Sequence, residues 1–141
     1  MCANMLTDAN RSGLYSLTRA QRIAMEKCAP ANFCRLHADL GACADTANLL
    51  AKLGEALNFP DWYGKNFDAL NDCLTDPDWQ PAAGHLLFLD GLASLRHGDP
   101  EGFGTLIEVL QAAAKAHRTA GHPFWLLFDT PARGVPKLPS A

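Results

Sequence analysis

The sequence predicts an α/β domain with a small three-stranded parallel sheet packed by helices, to which residues 1–30 can add a strand and a helix. Two apolar runs, residues 86–89 and 124–128, each run into an aspartate and are too short for helices, which indicates buried strands. Residues 33–39 alternate apolar and polar side chains, which predicts a strand near an edge of the sheet. Because helical segments separate these strands, we expect parallel pairing through right-handed crossovers.

Capping residues and apolar spacing predict the helices between the strands. Asp45 can cap a first helix whose leucines form one apolar stripe, and Asn66 can cap a second. The longest helix opens with Asp99 and Pro100, a capping residue followed by a first-turn proline. It runs to about residue 120, where Gly121 supplies the stop.

The chain divides into three parts. Residues 1–30 form an N-terminal extension, with a possible short strand at residues 14–17 and a helix from Thr18. Residues 31–129 form the main domain. Residues 130–141 contain three prolines and no apolar periodicity, so we expect a disordered tail.

Composition and charge argue against several classes of protein. No apolar run approaches the roughly 20 residues of a membrane-spanning helix, and the N-terminus lacks the continuous apolar region of a signal peptide. We therefore expect a cytoplasmic protein with no membrane partner. The net charge is −3 and no Lys/Arg cluster is present, so we expect no direct nucleic-acid partner. We also expect a monomer.

The five cysteines are odd in number and include no C-x-x-C pair, so we expect reduced thiols. Cys34, His37 and Cys43 offer an alternative zinc site, but their spacing matches no recurrent ligand pattern and no fourth ligand is evident. The sequence therefore predicts no metal and no cofactor.

Acidic side chains concentrate around one stretch, residues 59–76, which reads FPDWYGKNFDALNDCLTD. Residues 61–80 hold five aspartates and one lysine, a net charge of −4 that exceeds the −3 of the whole chain. On a helix from residue 67 to 74, Asp68 and Asp72 point away from the apolar face. Like charges at this spacing cost about 0.2–0.5 kcal/mol, so folding gives little reason for the pair. The alternative is an ordinary solvated helix face.

Two large aromatic residues, Trp62 and Tyr63, precede this helix in a loop that Gly64 allows to turn, with a positive φ as one way of doing so. An exposed Trp62 beside the carboxylates would have the composition of a protein-binding surface. The alternative is that both rings pack beneath the loop.

An enzyme would need an acid–base pair or a nucleophile in a concave site, and a convex helix face is a poor pocket. His85, His117 and His122 could supply a base, but histidines in such positions are more often structural or solvated. We therefore expect a protein that is not an enzyme.

The acidic stretch resembles the signature of the barstar family of ribonuclease inhibitors, L-P-x-Y-Y-G-x-N-x-D-A-L-x-D-C-L-T. The residues that match in register are Phe59-Pro60, Tyr63-Gly64, Asn66, Asp68-Ala69-Leu70 and Asp72-Cys73-Leu74-Thr75. The resemblance covers about residues 33–129 and implies the family's three-stranded parallel sheet. It also implies a bacterial, intracellular inhibitor.

The resemblance implies that the acidic helix and the aromatic loop block the basic active site of a ribonuclease, with carboxylates in place of RNA phosphates. By position, Asp72 is the central phosphate mimic, Asp68 meets a second cation and Trp62 is the aromatic contact. The partner-binding residues expected in full are Trp62, Tyr63, Gly64, Asn66, Asp68, Asn71, Asp72, Thr75 and Asp76. Asp78 can add charge from the following loop.

The chain departs from the family's prototype at three positions. Lys65 replaces an acid, Asn71 replaces a tryptophan and Ala112 replaces a glutamate of the last helix. These changes reduce the acidic footprint. The alternative function is therefore a barstar-fold binding module whose partner is another basic toxin or a regulatory protein.

Overall fold

The computed structural model describes residues 2–139, with side chains from residue 4 onward. The strands are β1 Leu14–Ser16, β2 Phe33–Asp39, β3 Gly84–Asp90 and β4 Phe124–Phe128. The helices are α1 Cys2–Leu6, α2 Arg19–Cys28, α3 Thr46–Ala56, α4 Phe67–Thr75, α5 Ala93–Gly98 and α6 Pro100–Thr119. A short 3₁₀ helix, Ala9–Arg11, precedes β1.

The four strands form one parallel sheet in the order β1-β4-β3-β2. The three strands expected in the main domain are present, and β2 lies at an edge as predicted. The N-terminal extension adds the fourth strand, with Leu14 opposite Leu126 of β4. In the parallel pair of β2 and β3, Asp39 lies opposite Asp90, so the carboxyl ends of both strands lie at the same end of the sheet. The prediction of an α/β fold with a parallel sheet is confirmed.

Alternate residues of each central strand enter two separate apolar clusters. Leu87 and Leu89 of β3 pack with α3, α4 and α6 on one face of the sheet. Leu86 and Phe88 pack on the other face with Leu6 of α1, Met25 of α2 and Leu138 of the C-terminal tail. The extension and Leu138 of the tail therefore cover the face opposite α4.

Side-chain caps begin the main helices at the predicted residues. The carboxylate of Asp45 accepts a hydrogen bond from the backbone N–H of Asn48 at 2.8 Å. Asn66 accepts one from Ala69 at 2.7 Å, and Asp99 accepts one from Gly102 at 3.0 Å. Helix α5 was not predicted. It is only six residues long and has no side-chain cap, so it leaves no such signal in the sequence.

The C-terminal tail corrects a prediction. Residues 130–139 were expected to be disordered, but the backbone of Ser16 exchanges hydrogen bonds of 2.9 Å with Pro136 and Leu138. Val135 and Leu138 are buried, one against each face of the sheet. These two isolated apolar residues give no periodicity, which is why a pattern search misses them. Residues 140–141 lie outside the described residues.

The cysteines follow the prediction in part. Cys34, Cys43 and Cys73 are free thiols, whereas Cys28 is disulfide-bonded, so the prediction of reduced thiols was wrong for that residue. Within residues 2–139, no group of three or more His, Cys, Asp or Glu side chains could hold a metal ion. No helix of this part of the chain has the length and apolarity needed to cross a membrane.

Candidate protein-binding surface

The acidic surface consists of five side chains around α4: Trp62, Asp68, Asp72, Asp76 and Asp78. Trp62 lies in the loop before the helix, Asp68 and Asp72 lie on the helix, and the last two aspartates follow it. Four of the five are exposed and Asp76 is half-buried. Trp62, Asp76 and Asp78 line one groove, and Asp68 and Asp72 lie on the exposed face of α4, the helix that Asp76 caps.

Helix α4 presents its two faces as the sequence predicts. Leu70, Cys73 and Leu74 are buried, and the helix packs against α6. Asp68 and Asp72 are both exposed on the opposite side. Residues four apart on a helix have Cβ atoms about 5–6 Å from each other, so the two carboxylates can contact one partner together.

The carboxylates of the acidic surface form no ion pair within residues 2–139. The ion pairs of that part of the chain join Arg22 to Glu26 and to Asp90, and His37 to Asp90. The exposed Lys65 makes no such pair. Burial raises the pKa of the Cys73 thiol to about 11, and the negative charges of Asp76 and Asp72 add to the shift. The surface therefore carries uncompensated negative charge.

The two aromatic residues of the loop have opposite environments. Trp62 is 56% exposed, one of two large hydrophobic residues in the described chain that are exposed. Tyr63 is only 8% exposed, and its hydroxyl donates a hydrogen bond of 2.8 Å to the Leu50 carbonyl. Its ring packs so closely on α3 that a Cβ atom at Gly54 would lie 2.7 Å from it. Tyr63 therefore belongs to the core and supports the loop, and its expected contact with a partner stays a prediction.

The turn between the loop and α4 differs from the prediction in one detail. Lys65, and not Gly64, has the positive φ, at 57°. Gly64 and Asn66 are exposed beside the turn, and the side-chain oxygen of Asn66 caps α4. Asn66 therefore has a structural role whether or not it also touches a partner.

Asn71 and Thr75 are half-buried beside the exposed aspartates. The Thr75 hydroxyl donates a hydrogen bond of 2.7 Å to the backbone carbonyl of Asn71, one turn earlier. Its proton is thus used within α4, and its oxygen lone pairs remain for a donor from outside.

A histidine network that the sequence did not predict supports the end of α4. The ring of His85 lies 5.5 Å from that of Trp79, centroid to centroid, at an interplanar angle of 12°. His85 Nε2 lies 2.7 Å from the Gln80 carbonyl oxygen, so Nε2 carries the proton and donates it. His85 Nδ1, 2.8 Å from His122 Nε2, must then accept. His117 Nε2 donates to the Leu74 carbonyl at 2.7 Å.

These hydrogen bonds fit neutral rings. Burial lowers the pKa of His85 to about 4, although its bond to Gln80 acts in the opposite direction, and His122 and His117 lower it slightly further. Burial also lowers the pKa values of His117 and His122. From the sequence, these histidines were considered as catalytic bases. In the structure, His117 binds the last turn of α4 and His85 binds the loop that follows it.

Comparison with known proteins decides the family. The family model described as "Barstar (barnase inhibitor)" matches residues 33–129, more than half of the chain. This chain belongs to the barstar family. No curated protein matches it as a sequence relative.

A similar fold occurs in a solved structure titled "Structure of Drosophila ORC bound to DNA", with a TM-score of 0.54 and 18% identity. The similarity covers 97% of this chain and 36% of that chain, so this barstar-family chain spans about a third of the other's length. At this identity the likeness concerns the fold alone.

The barstar-family match begins at the first residue of β2 and ends just after β4. The extension that carries α1, β1 and α2 lies outside it, as does the C-terminal tail. Of the three departures from the family's prototype, Lys65 and Ala112 are exposed and Asn71 is half-buried. All three therefore change surface that solvent reaches.

Proposed function

We propose that this barstar-family protein inhibits a basic ribonuclease by placing the acidic surface in the enzyme's RNA-binding cleft. The observation that carries the proposal is the exposure of Asp68 and Asp72 on α4, neither of which forms an ion pair within residues 2–139, together with the exposed ring of Trp62 in the loop before the helix. Folding does not account for this arrangement, since like charges four residues apart repel and Asp72 lies near the negative end of the helix dipole.

The chemistry of a ribonuclease cleft fits such a surface. An enzyme that binds RNA must present Arg and Lys side chains to phosphates, and these same groups bind carboxylates through charge-assisted hydrogen bonds. Asp72 would take the central cationic site and Asp68 a neighbouring one. Trp62 would supply aromatic contact area, and the negative field of the surface would steer the basic partner into contact.

The proposal carries three further parts. The protein acts as a monomer in the cytoplasm of a bacterial cell, as the family implies. It is an inhibitor without catalysis of its own, which agrees with the structural hydrogen bonds of His85, His117 and His122. It uses no metal or cofactor and does not bind nucleic acid directly.

A titration of purified small basic ribonucleases tests the proposal. RNA cleavage and complex formation are measured together at stated salt concentrations, with the wild-type protein and with Asp72→Ala. The matched control is Glu26→Gln, which removes one negative charge from α2 on the other face of the sheet. We expect stoichiometric inhibition by the wild type and by the control, and its loss in Asp72→Ala. Equal inhibition by all three would contradict the proposed site, and no inhibition of any nuclease by folded protein would contradict the function.

A second candidate is a binding module for a basic protein that is not a ribonuclease. The exposed Ala112 and Lys65 favour it, because both stand where the family's prototype has acids. Binding to a basic protein without nuclease activity, through Asp72, would support this candidate over the first.

A further inference from the structure

A groove opens beyond the C-terminal end of α4. It is lined by Trp62, Asp76, Asp78, Trp79 and Gln80, among others, and has a volume of about 380 Å³. Small-ligand sites range over about 300–1,000 Å³, and this groove lies near the lower end of that range. It therefore suits a single long side chain better than a folded segment. The exposed indole of Trp62 and the carboxylates of Asp76 and Asp78 are all part of its lining.

The groove has acidic residues in its lining and no basic ones. Asp76 Oδ1 accepts a hydrogen bond of 2.9 Å from the backbone N–H of Asp78, and neither carboxylate forms an ion pair within residues 2–139. Asp76 is also the C-cap of α4, where the helix dipole disfavours negative charge. A cation in the groove would pair with the two carboxylates and would also offset the unfavourable charge of Asp76 at the end of the helix.

The walls of the groove are held in place before any partner arrives. The indole N–H of Trp79 donates to the Leu57 carbonyl at 2.8 Å, and the Gln80 carbonyl accepts from His85 at 2.7 Å. Asn58 and Gln80, which both line the groove, have φ angles of 56° and 45°. Such backbone conformations persist only where surrounding contacts fix them, so little ordering is needed on binding.

We propose that this groove binds one arginine side chain of the protein partner, stacked on Trp62 and hydrogen-bonded to Asp76 and Asp78. This inference rests on the proposed function in that the arginine belongs to the basic partner. A planar guanidinium stacks on an aromatic face and offers several N–H donors in a fixed fork, which can serve two carboxylates at once. A lysine ammonium is more strongly hydrated and cannot stack in this way.

The test uses the full chain and a peptide probe, so it needs no nuclease. Acetyl-Gly-Arg-Gly-amide is titrated at low salt, and the indole N–H signals of the three tryptophans are followed by NMR. Trp125 donates its indole N–H to Leu6, lies outside the groove lining and acts as the internal reference, whereas Trp79 lines the groove and can report binding together with Trp62. Peptides with lysine or the neutral arginine analogue citrulline replace the probe in parallel titrations.

The variants separate this groove from general negative charge. In Asp76→Asn/Asp78→Asn the side-chain oxygen that accepts the Asp78 N–H is kept while both charges are lost. Asp61→Asn is the control, since Asp61 is exposed next to Trp62 but does not line the groove. We expect a saturable shift at Trp62 with the arginine peptide, at least threefold weaker binding of lysine and no shift with citrulline. The double variant should weaken binding at least tenfold and Asp61→Asn less than twofold.

Several results would overturn the inference: no shift at Trp62, an equal shift with citrulline, or equal binding by the double variant. Its failure can be told apart from failure of the proposed function. Inhibition of a ribonuclease that requires Asp72 but is unchanged in the double variant would support inhibition and overturn the arginine groove. Peptide binding at Trp62 without inhibition of any nuclease would support the arginine groove and overturn the proposed inhibition.

Discussion

The hydroxyl of Tyr63 donates a buried hydrogen bond of 2.8 Å to the backbone carbonyl of Leu50, and so ties the aromatic loop to α3. Burial raises the pKa of Tyr63 well above its usual range, so the hydroxyl carries its proton and remains a donor at neutral pH. Tyr63→Phe leaves the carbonyl without this donor. We expect a loss of about 1–3 kcal/mol in the free energy of unfolding, measured by urea denaturation. Trp62→Ala is the control and should stay within about 0.5 kcal/mol of the wild type.

The opposite faces of α4 predict opposite effects on stability. Asp72→Ala removes a repulsive charge from an exposed position, so the free energy of unfolding should be unchanged or slightly higher. Leu70→Ala leaves a cavity at a fully buried position and should cost about 2–5 kcal/mol. Thermal and urea unfolding of both variants check this. A large loss of stability in Asp72→Ala would make that residue structural and weaken its assignment to the binding surface.

The elements that the sequence predicted well are those that local signals define. Asp45, Asn66 and Asp99 mark helix starts because each side chain bonds to a backbone N–H only three residues later. The apolar runs of β3 and β4 identify central strands because both faces of the sheet are covered. For α4, helical spacing alone separated the buried leucines from the exposed aspartates.

The features that the sequence left open depend on distant contacts. Which ring of Trp62 and Tyr63 is buried is decided by α3, where Gly54 leaves room for the tyrosine. The histidine network joins residues 37 positions apart, His85 and His122, so no local pattern reveals it. The same holds for the tail, which is fixed by hydrogen bonds to Ser16 at the other end of the chain.

The buried His85 predicts a loss of stability in mild acid. Its pKa in the folded protein is about 4, below the ordinary value of 6.5, so the unfolded chain takes up the proton first as the pH falls. The stability contributed by neutral His85 is therefore complete above pH 6.5 and decreases from there to about pH 4. We expect this loss to be on the order of 1–3 kcal/mol.

His85→Gln is the comparison for this pH dependence, because a neutral amide can also donate to the Gln80 carbonyl. Urea unfolding of both proteins from pH 7.5 to pH 4.5 should show a steeper decline for the wild type. Since carboxylates titrate alike in both proteins, the difference between the two curves reports the titration of His85 together with its neighbours His122 and His117. Parallel curves would mean that His85 does not remain neutral in the folded state.

The N-terminal extension covers one apolar face of the sheet, so its removal should expose that face. Deletion of residues 2–30 uncovers Leu86, Phe88, Trp125 and Leu127, and removes Leu6, whose carbonyl accepts the indole N–H of Trp125. The truncated protein should bind the dye ANS, unfold at a lower temperature and tend to associate. Size-exclusion chromatography and calorimetry check these outcomes. Melting identical to that of the full chain would show that residues 31–139 fold independently of the extension.

Replacing Ala112 with glutamate should strengthen binding to the ribonuclease partner. It is exposed on α6, which packs against α4, and it stands where the family's prototype presents a glutamate. If the acidic surface binds a cationic cleft, Ala112→Glu should extend that surface and strengthen binding by about 0.5–1.5 kcal/mol, the usual net value of one added hydrogen bond. The affinity for a ribonuclease that the wild type inhibits is measured at two salt concentrations, and the gain should shrink at the higher one. Ala20→Glu, an exposed helical position on α2 across the sheet, is the matched control and should leave the affinity unchanged. Equal gains in the two variants would trace the effect to net charge, and no gain in Ala112→Glu would mean that the partner does not reach α6.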